Sequence, residues 1–202
     1  MTAAEDIVGT ARSLFGRGLT HGRTGNISVR TADGILVTPT GSSLGTVQAA
    51  DLSLVDERGA HLSGPTPSKE AFLHAAVLRA RPSAQAVVHT HSSYSAAISC
   101  LRGLDPDNVL PPLTAYYAMR VGRLPLLPYH APGDASLESL AEATAATRHA
   151  MLLSNHGPVV AGADLTAAVD ALEELEETAK LFLLLRGLPT APLTEEQAAA
   201  LA

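Results

Sequence analysis

The chain has 202 residues, 46% hydrophobic and 17% charged, enough to bury the core of a globular unit and too apolar for a disordered segment. A formal charge of −6 supplies no basic footprint for a phosphate backbone, so nucleic-acid binding is set aside. One cysteine, Cys100, excludes an internal disulfide and a multi-Cys zinc site, leaving histidines and carboxylates as the material for any metal centre. Glu5 and Asp6 at the start, with no basic and apolar leader pattern, predict a cytoplasmic protein. The most apolar stretch, 181–185, is far short of the ~20 residues that span a bilayer.

Residues 7–17 space Ile7, Val8, Ala11, Leu14 and Phe15 as one helical face, with Gly18 as the stop. Strands are predicted over 26–30 and 35–38, joined at Ala32-Asp33-Gly34, and a second hairpin over 56–59. Ser68 stands where a cap is needed for a helix over 69–80, and Pro82 ends it. A buried strand over 86–90, helices over 92–100 and 114–121, an extended run over 125–129 and a helix over 136–149 follow. Two short strands, 151–154 and 158–161, flank the Asn155-His156-Gly157 turn, and Asp164 caps a last helix up to Gly187. Tight turns between consecutive strands favour a mixed sheet with antiparallel pairs and helices on its faces over a doubly wound parallel sheet.

His89 and His91 alternate at the end of the apolar run 86–90, so both imidazoles point to one face and can reach one ion. His156, in a polar turn between two apolar strands, is the best third ligand. His74, one helical turn after Glu70, is the second choice. His21 and His61 read as surface residues, and His130 and His149 receive no role. Glu70 near a helix start is favoured by the helix dipole alone. Ser68 and Lys69 beside it make an anion site, and the hydroxyl-rich loop 38–43 is placed to close over the same phosphate.

In order along the chain, Thr24-Gly25-Asn26-Ile27-Ser28, Thr38-Pro39-Thr40-Gly41, Pro67-Ser68-Lys69-Glu70, His89-Thr90-His91 and Asn155-His156-Gly157 resemble the motifs of the class II (zinc-dependent) aldolase/adducin superfamily. The resemblance covers about residues 7–187 and implies one α/β/α domain over 1–202 with a largely antiparallel sheet and a short tail from 188. It implies one Zn²⁺ per subunit on His89, His91 and His156, with Glu70 as ligand and acid/base, and a homotetramer with active sites at subunit interfaces. Asn26, Thr40, Gly41, Ser68 and Lys69 would bind the substrate phosphate, and Tyr117, with Tyr116 beside it, matches a tyrosine contributed across an interface.

Sugar-phosphate aldolases of this superfamily usually carry Ser-Ser-Glu where this chain has Ser68-Lys69-Glu70. That departure, with the segments 113–123 and 128–134, is similar to the branch of 3-oxo-tetronate 4-phosphate decarboxylases. The resemblance therefore implies decarboxylation of a phosphorylated sugar acid, with an aldolase of the L-fuculose-1-phosphate type as the alternative and a pentulose-phosphate 4-epimerase third. Adducin-like relatives assemble without catalysis, and for them the metal ligands are expected to be missing; here all are present.

Overall fold

The computed structural model describes residues 2–201. Eight strands form one sheet in the order β4-β3-β2-β1-β5-β8-β7-β6. They are β1 (Asn26–Thr31), β2 (Gly34–Val37), β3 (Ser53–Val55), β4 (His61–Ser63), β5 (Ala86–His89), β6 (Leu126–Leu127), β7 (Ala150–Leu153) and β8 (Pro158–Gly162). Every pairing is antiparallel except β6 on β7. The helices are α1 (Ala3–Gly16), α2 (Ala71–Ala80), α3 (Ser93–Ser99), α4 (Ala115–Arg120), α5 (Glu138–Ala145), α6 (Leu165–Leu184) and α7 (Glu195–Ala199).

Alternation along the central strands assigns each face its own helical layer. Ala86 and Val88 of β5, Ala150 and Leu152 of β7, and Val160 of β8 pack with α1, α3, α4 and α6. Their neighbours Val87, Met151, Leu153, Val159 and Ala161 pack on the other face with α2 and α5. Both faces are covered, so these strands are apolar throughout; the result is the expected α/β/α sandwich.

Four boundaries differ from the sequence reading. A Thr2–Glu5 capping box starts α1 earlier than residue 7. The second helix begins at Ala71, because residues 68–70 form a turn in which Ser68 accepts from the Glu70 amide and does not cap the helix. Pro125 and Pro128 flank β6 and leave it two residues long. The fifth helix stops at Ala145, and the chain turns there because the His149 carbonyl accepts from Ala161 at 2.7 Å and joins the sheet. The tail forms α7, held by a Thr194–Gln197 capping box. Among the described residues, no helix is long and apolar enough to cross a membrane.

Candidate metal centre and anion recess

The register of β1 on β5 sets Asn26 opposite His89 and Ser28 opposite Val87. By the period of two, His89 shares the face of Val87, which is the face that α2 covers. Glu70 and His74, one turn apart where α2 begins, meet Asn26 and Ser28 there through buried hydrogen bonds. Helix entry and strand end thus bring a carboxylate to the imidazole of His89, 3.5 Å from Oε2 to Nε2.

Two close backbone approaches bring in the remaining histidines. The β7–β8 turn has Asn155 at φ 55°, and a Cβ on Gly157 would lie 2.2 Å from the Thr90 carbonyl oxygen. Only glycine allows the turn to press against the segment carrying His91. A Cβ on Gly25, at φ +79°, would lie 2.8 Å from the His89 carbonyl oxygen on the other side. The Ser99 hydroxyl accepts from the His156 amide at 3.2 Å and anchors the turn to α3.

One donor atom from each of His89, His91 and His156 lies within 4.8 Å of the others. The His91 and His156 Nε2 atoms are 2.9 Å apart, and Glu70 Oε1 is 3.5 Å from His156. The Pro158 carbonyl accepts from His89 Nδ1 at 2.8 Å, which leaves the lone pair on Nε2, and that buried atom has no hydrogen-bond partner. An orphaned lone pair facing two further imidazoles and a carboxylate fits a divalent cation of intermediate softness.

The charge states agree with this use. Burial pushes His91 down to about 3 and His156 to about 4, and the neighbouring His89 adds to both shifts. These two imidazoles are neutral at physiological pH, the state a metal ligand requires. Burial alone would raise Glu70, but His89, the Asn26 amide, His156 and His74 outweigh it and hold the carboxyl at about 2.

Beside the histidines opens a recess of about 160 Å³ lined by Thr24, Asn26, Thr40, Gly41, Ser42, Ser68, Lys69, Glu70, His91 and His156. All five residues expected to bind phosphate are therefore gathered at one place. Ser42 comes from the loop 38–43 expected there, whereas Arg23 and Pro132 also line the recess and neither is singled out as a site residue by the sequence. The available signal was position: Arg23 directly precedes the Thr24-Gly25-Asn26 motif, between Gly22 and Gly25, both at positive φ. Among the described residues neither Arg23 nor Lys69 has an ion-pair partner. A larger groove near α6 is lined by Arg17 and Arg120, which pair with Glu173 and Asp170, and by Glu174, Glu176 and Glu177, so its cations are already engaged and acidic groups are in excess.

One alternative is closed and one expectation is corrected. His74 is no ligand: it is wholly buried, with Nδ1 engaged by Ser28 and Nε2 by Asn26. Tyr117 has no exposed surface and packs in the core against α6, so it offers nothing to a neighbouring subunit; Tyr116 beside it is 61% exposed. His21 and His61 are exposed, as expected.

Residues 5–183 match the family described as class II aldolase and adducin N-terminal domain. A 3-oxo-tetronate 4-phosphate decarboxylase of Haemophilus influenzae is 48% identical over 194 residues, 96% of this chain and 92% of the relative. An L-fuculose phosphate aldolase of the same organism is 33% identical over 199 residues, 96% of this chain and 89% of the relative. The crystal structure of YgbL from Klebsiella pneumoniae superposes with a TM-score of 0.95 at 44% identity, covering 98% of this chain and 97% of that one. By its fold, its ordered motifs and these matches, the chain belongs to the class II aldolase and adducin family.

Proposed function

We propose that this protein is a zinc-dependent lyase that decarboxylates a 3-oxo-tetronate 4-phosphate to dihydroxyacetone phosphate and carbon dioxide. The observation that carries the reading is the pairing of a cluster of three histidines and one glutamate with two unpartnered cations, Arg23 and Lys69, on one recess. A sugar-acid phosphate has two anionic groups, and a neutral sugar phosphate has one. The similarity to decarboxylases at 48% identity, against 33% for the aldolase, supports the same choice.

Zn²⁺ on His89, His91 and His156, with Glu70 adjacent, would supply a Lewis acid that draws in the electrons left when the carbon–carbon bond breaks. The chain's own groups do the rest. Thr40, Gly41, Ser42 and Ser68 present hydroxyls and backbone N–H groups to a phosphate. Arg23 and Lys69 add fixed charge, which orients the acid and holds the departing carboxylate. Loss of carbon dioxide from the ionised acid consumes one proton; Glu70 rests ionised, so it takes that proton from solvent water and delivers it to the carbon from which carbon dioxide has left.

The reading takes residues 1–202 as one catalytic domain of a cytoplasmic homotetramer, with exposed Tyr116 on α4 as the tyrosine available to a neighbouring subunit. Light scattering tests the assembly. For the reaction, zinc-loaded protein is incubated separately with 3-oxo-tetronate 4-phosphates and with L-fuculose 1-phosphate, and carbon dioxide and aldehyde are both followed. Carbon dioxide from the acid is expected; aldehyde from fuculose 1-phosphate with no carbon dioxide from the acid overturns the reading in favour of an aldolase.

A further inference from the structure

We propose that His74 is a positioning residue, which locks the Asn26 amide through one protonated nitrogen and thereby holds Glu70 where it must transfer its proton. The proposal rests on the reading of Glu70 as the proton-transfer group. It follows from a hydrogen-bond chain whose donor directions are forced from one end.

The Asn26 NH₂ lies 2.8 Å from Glu70 Oε2, and an amide nitrogen can only donate, so the carboxylate oxygen accepts. The amide oxygen of Asn26 then faces His74 Nε2, and an oxygen with no hydrogen obliges that nitrogen to carry one. With the proton on Nε2, Nδ1 is a bare lone pair, and the Ser28 hydroxyl 2.7 Å away must donate to it. The direction runs Ser28 to His74 to Asn26 to Glu70 without a break.

Burial makes the chain strict. Ser28 and His74 are 0% exposed, Asn26 is 6% and Glu70 8% exposed, so water is excluded from replacing a lost partner. The other tautomer of His74 would set a lone pair against the Asn26 oxygen. The amide would relieve this by flipping, which turns its oxygen onto the Glu70 carboxylate. Burial obliges both nitrogens to be paired, and the partner of Nε2 is the same amide that holds Glu70.

His74→Leu and His74→Gln are made in the wild-type protein and in Asn26→Ala, and kcat, KM, metal content and thermal midpoint are measured for the zinc-loaded enzymes. A lost orientation at the proton donor should lower kcat of His74→Leu roughly 10- to 100-fold, with KM within about threefold and metal content unchanged. The Gln amide N–H can still meet Asn26, so His74→Gln should recover most of kcat. In Asn26→Ala, His74→Leu should cost less than about twofold, since its route to Glu70 is already cut. Multiplicative losses, or equal losses in Leu and Gln, overturn the proposal. Should His74→Leu fail to fold, ¹⁵N spectra of the wild-type imidazoles decide: His74 protonated at Nε2 and bare at Nδ1 is expected, and the opposite tautomer overturns it. Wild-type protein that releases no carbon dioxide defeats the parent reading alone, since the tautomer is read independently of turnover.

Discussion

The two walls of the site are built on opposite terms. On the metal wall the orientations of the imidazoles are set by the fold: His89 is wholly buried and donates to Pro158, and the turn carrying His156 is anchored on Ser99. On the anion wall Lys69 and Arg23 are exposed cations without partners. The cost of ordering the first wall was met when the chain folded, whereas the exposed side chains of the second would lose their freedom on binding an anion. Damage to the metal wall should therefore be all-or-none, and damage to the anion wall graded.

The largest effect is expected at the buried wall. His156→Ala removes one of three converging nitrogens and should bring zinc content and turnover down together, nearly to zero; the same holds for His89→Ala and His91→Ala. Metal analysis beside an activity assay checks this, and a full complement of zinc in any of the three would break the triad. Glu70→Gln keeps the shape and loses the proton exchange. Its turnover should fall roughly 10²- to 10⁴-fold with zinc retained, and near-normal turnover would reduce Glu70 to a charge near a helix start.

At the exposed wall, Lys69→Ser restores the Ser-Ser-Glu pattern and deletes a charge-assisted contact worth about 1.5–3 kcal/mol. The specificity constant for the acid should fall roughly 10- to 150-fold. If Lys69 holds the carboxylate, a neutral sugar phosphate suffers less; if it holds the phosphate, both suffer alike. Arg23→Ser run in parallel assigns the second anion, and unchanged kinetics in both variants would remove the two-cation argument.

The metal-stripped protein tests the same contrast by acid. Folded His74, His91 and His156 resist protonation down to about 3, 3 and 4, while the unfolded chain takes up those protons near 6.5. The unfolded state thus binds more protons below that value, and stability should fall as pH drops from 6.5 toward 4. Below about 4.5 the Glu70 contribution is lost as well, until pH reaches about 2. Urea midpoints between pH 8 and 4 measure it; a midpoint that stays flat or rises across that window contradicts neutral, buried imidazoles.

The metal wall was legible in the sequence because its signals are local. A His-x-His at the end of an apolar strand and an Asn-His-Gly turn between two apolar strands hold their meaning without knowledge of neighbours. What Ser68 and His74 do was not legible, since one depends on the exact backbone before α2 and the other on which strand lies beneath it. Whether Ser68 caps a helix depends on the backbone over 68–70, which turns once before the helix begins. His74 read as a spare ligand because spacing puts it beside Glu70; only the register of β1 on β5 shows Asn26 and Ser28 occupying both its nitrogens. Tyr116 and Tyr117 could not be told apart by motif, because α4 has six residues and too few turns to reveal its phase.

That ambiguity yields the smallest predicted effect. The Tyr117 hydroxyl and His89 Nε2 are both buried and both lack a hydrogen-bond partner. Their surroundings separate them. His89 Nε2 faces a carboxylate at 3.5 Å and two imidazole nitrogens, a donor set that fits a metal ion. The Tyr117 hydroxyl lies within the apolar core of α1, α3, α4 and α6, where burial pushes its acidity out of the physiological range and nothing is placed to use it. Tyr117→Phe deletes an unsatisfied polar atom and keeps the ring, so the fold should be unchanged or firmer by about 1 kcal/mol. Turnover should stay at the wild-type level. Thermal midpoint and kcat measured together check both statements, and a tenfold loss of kcat with an unchanged midpoint would return Tyr117 to the catalytic set.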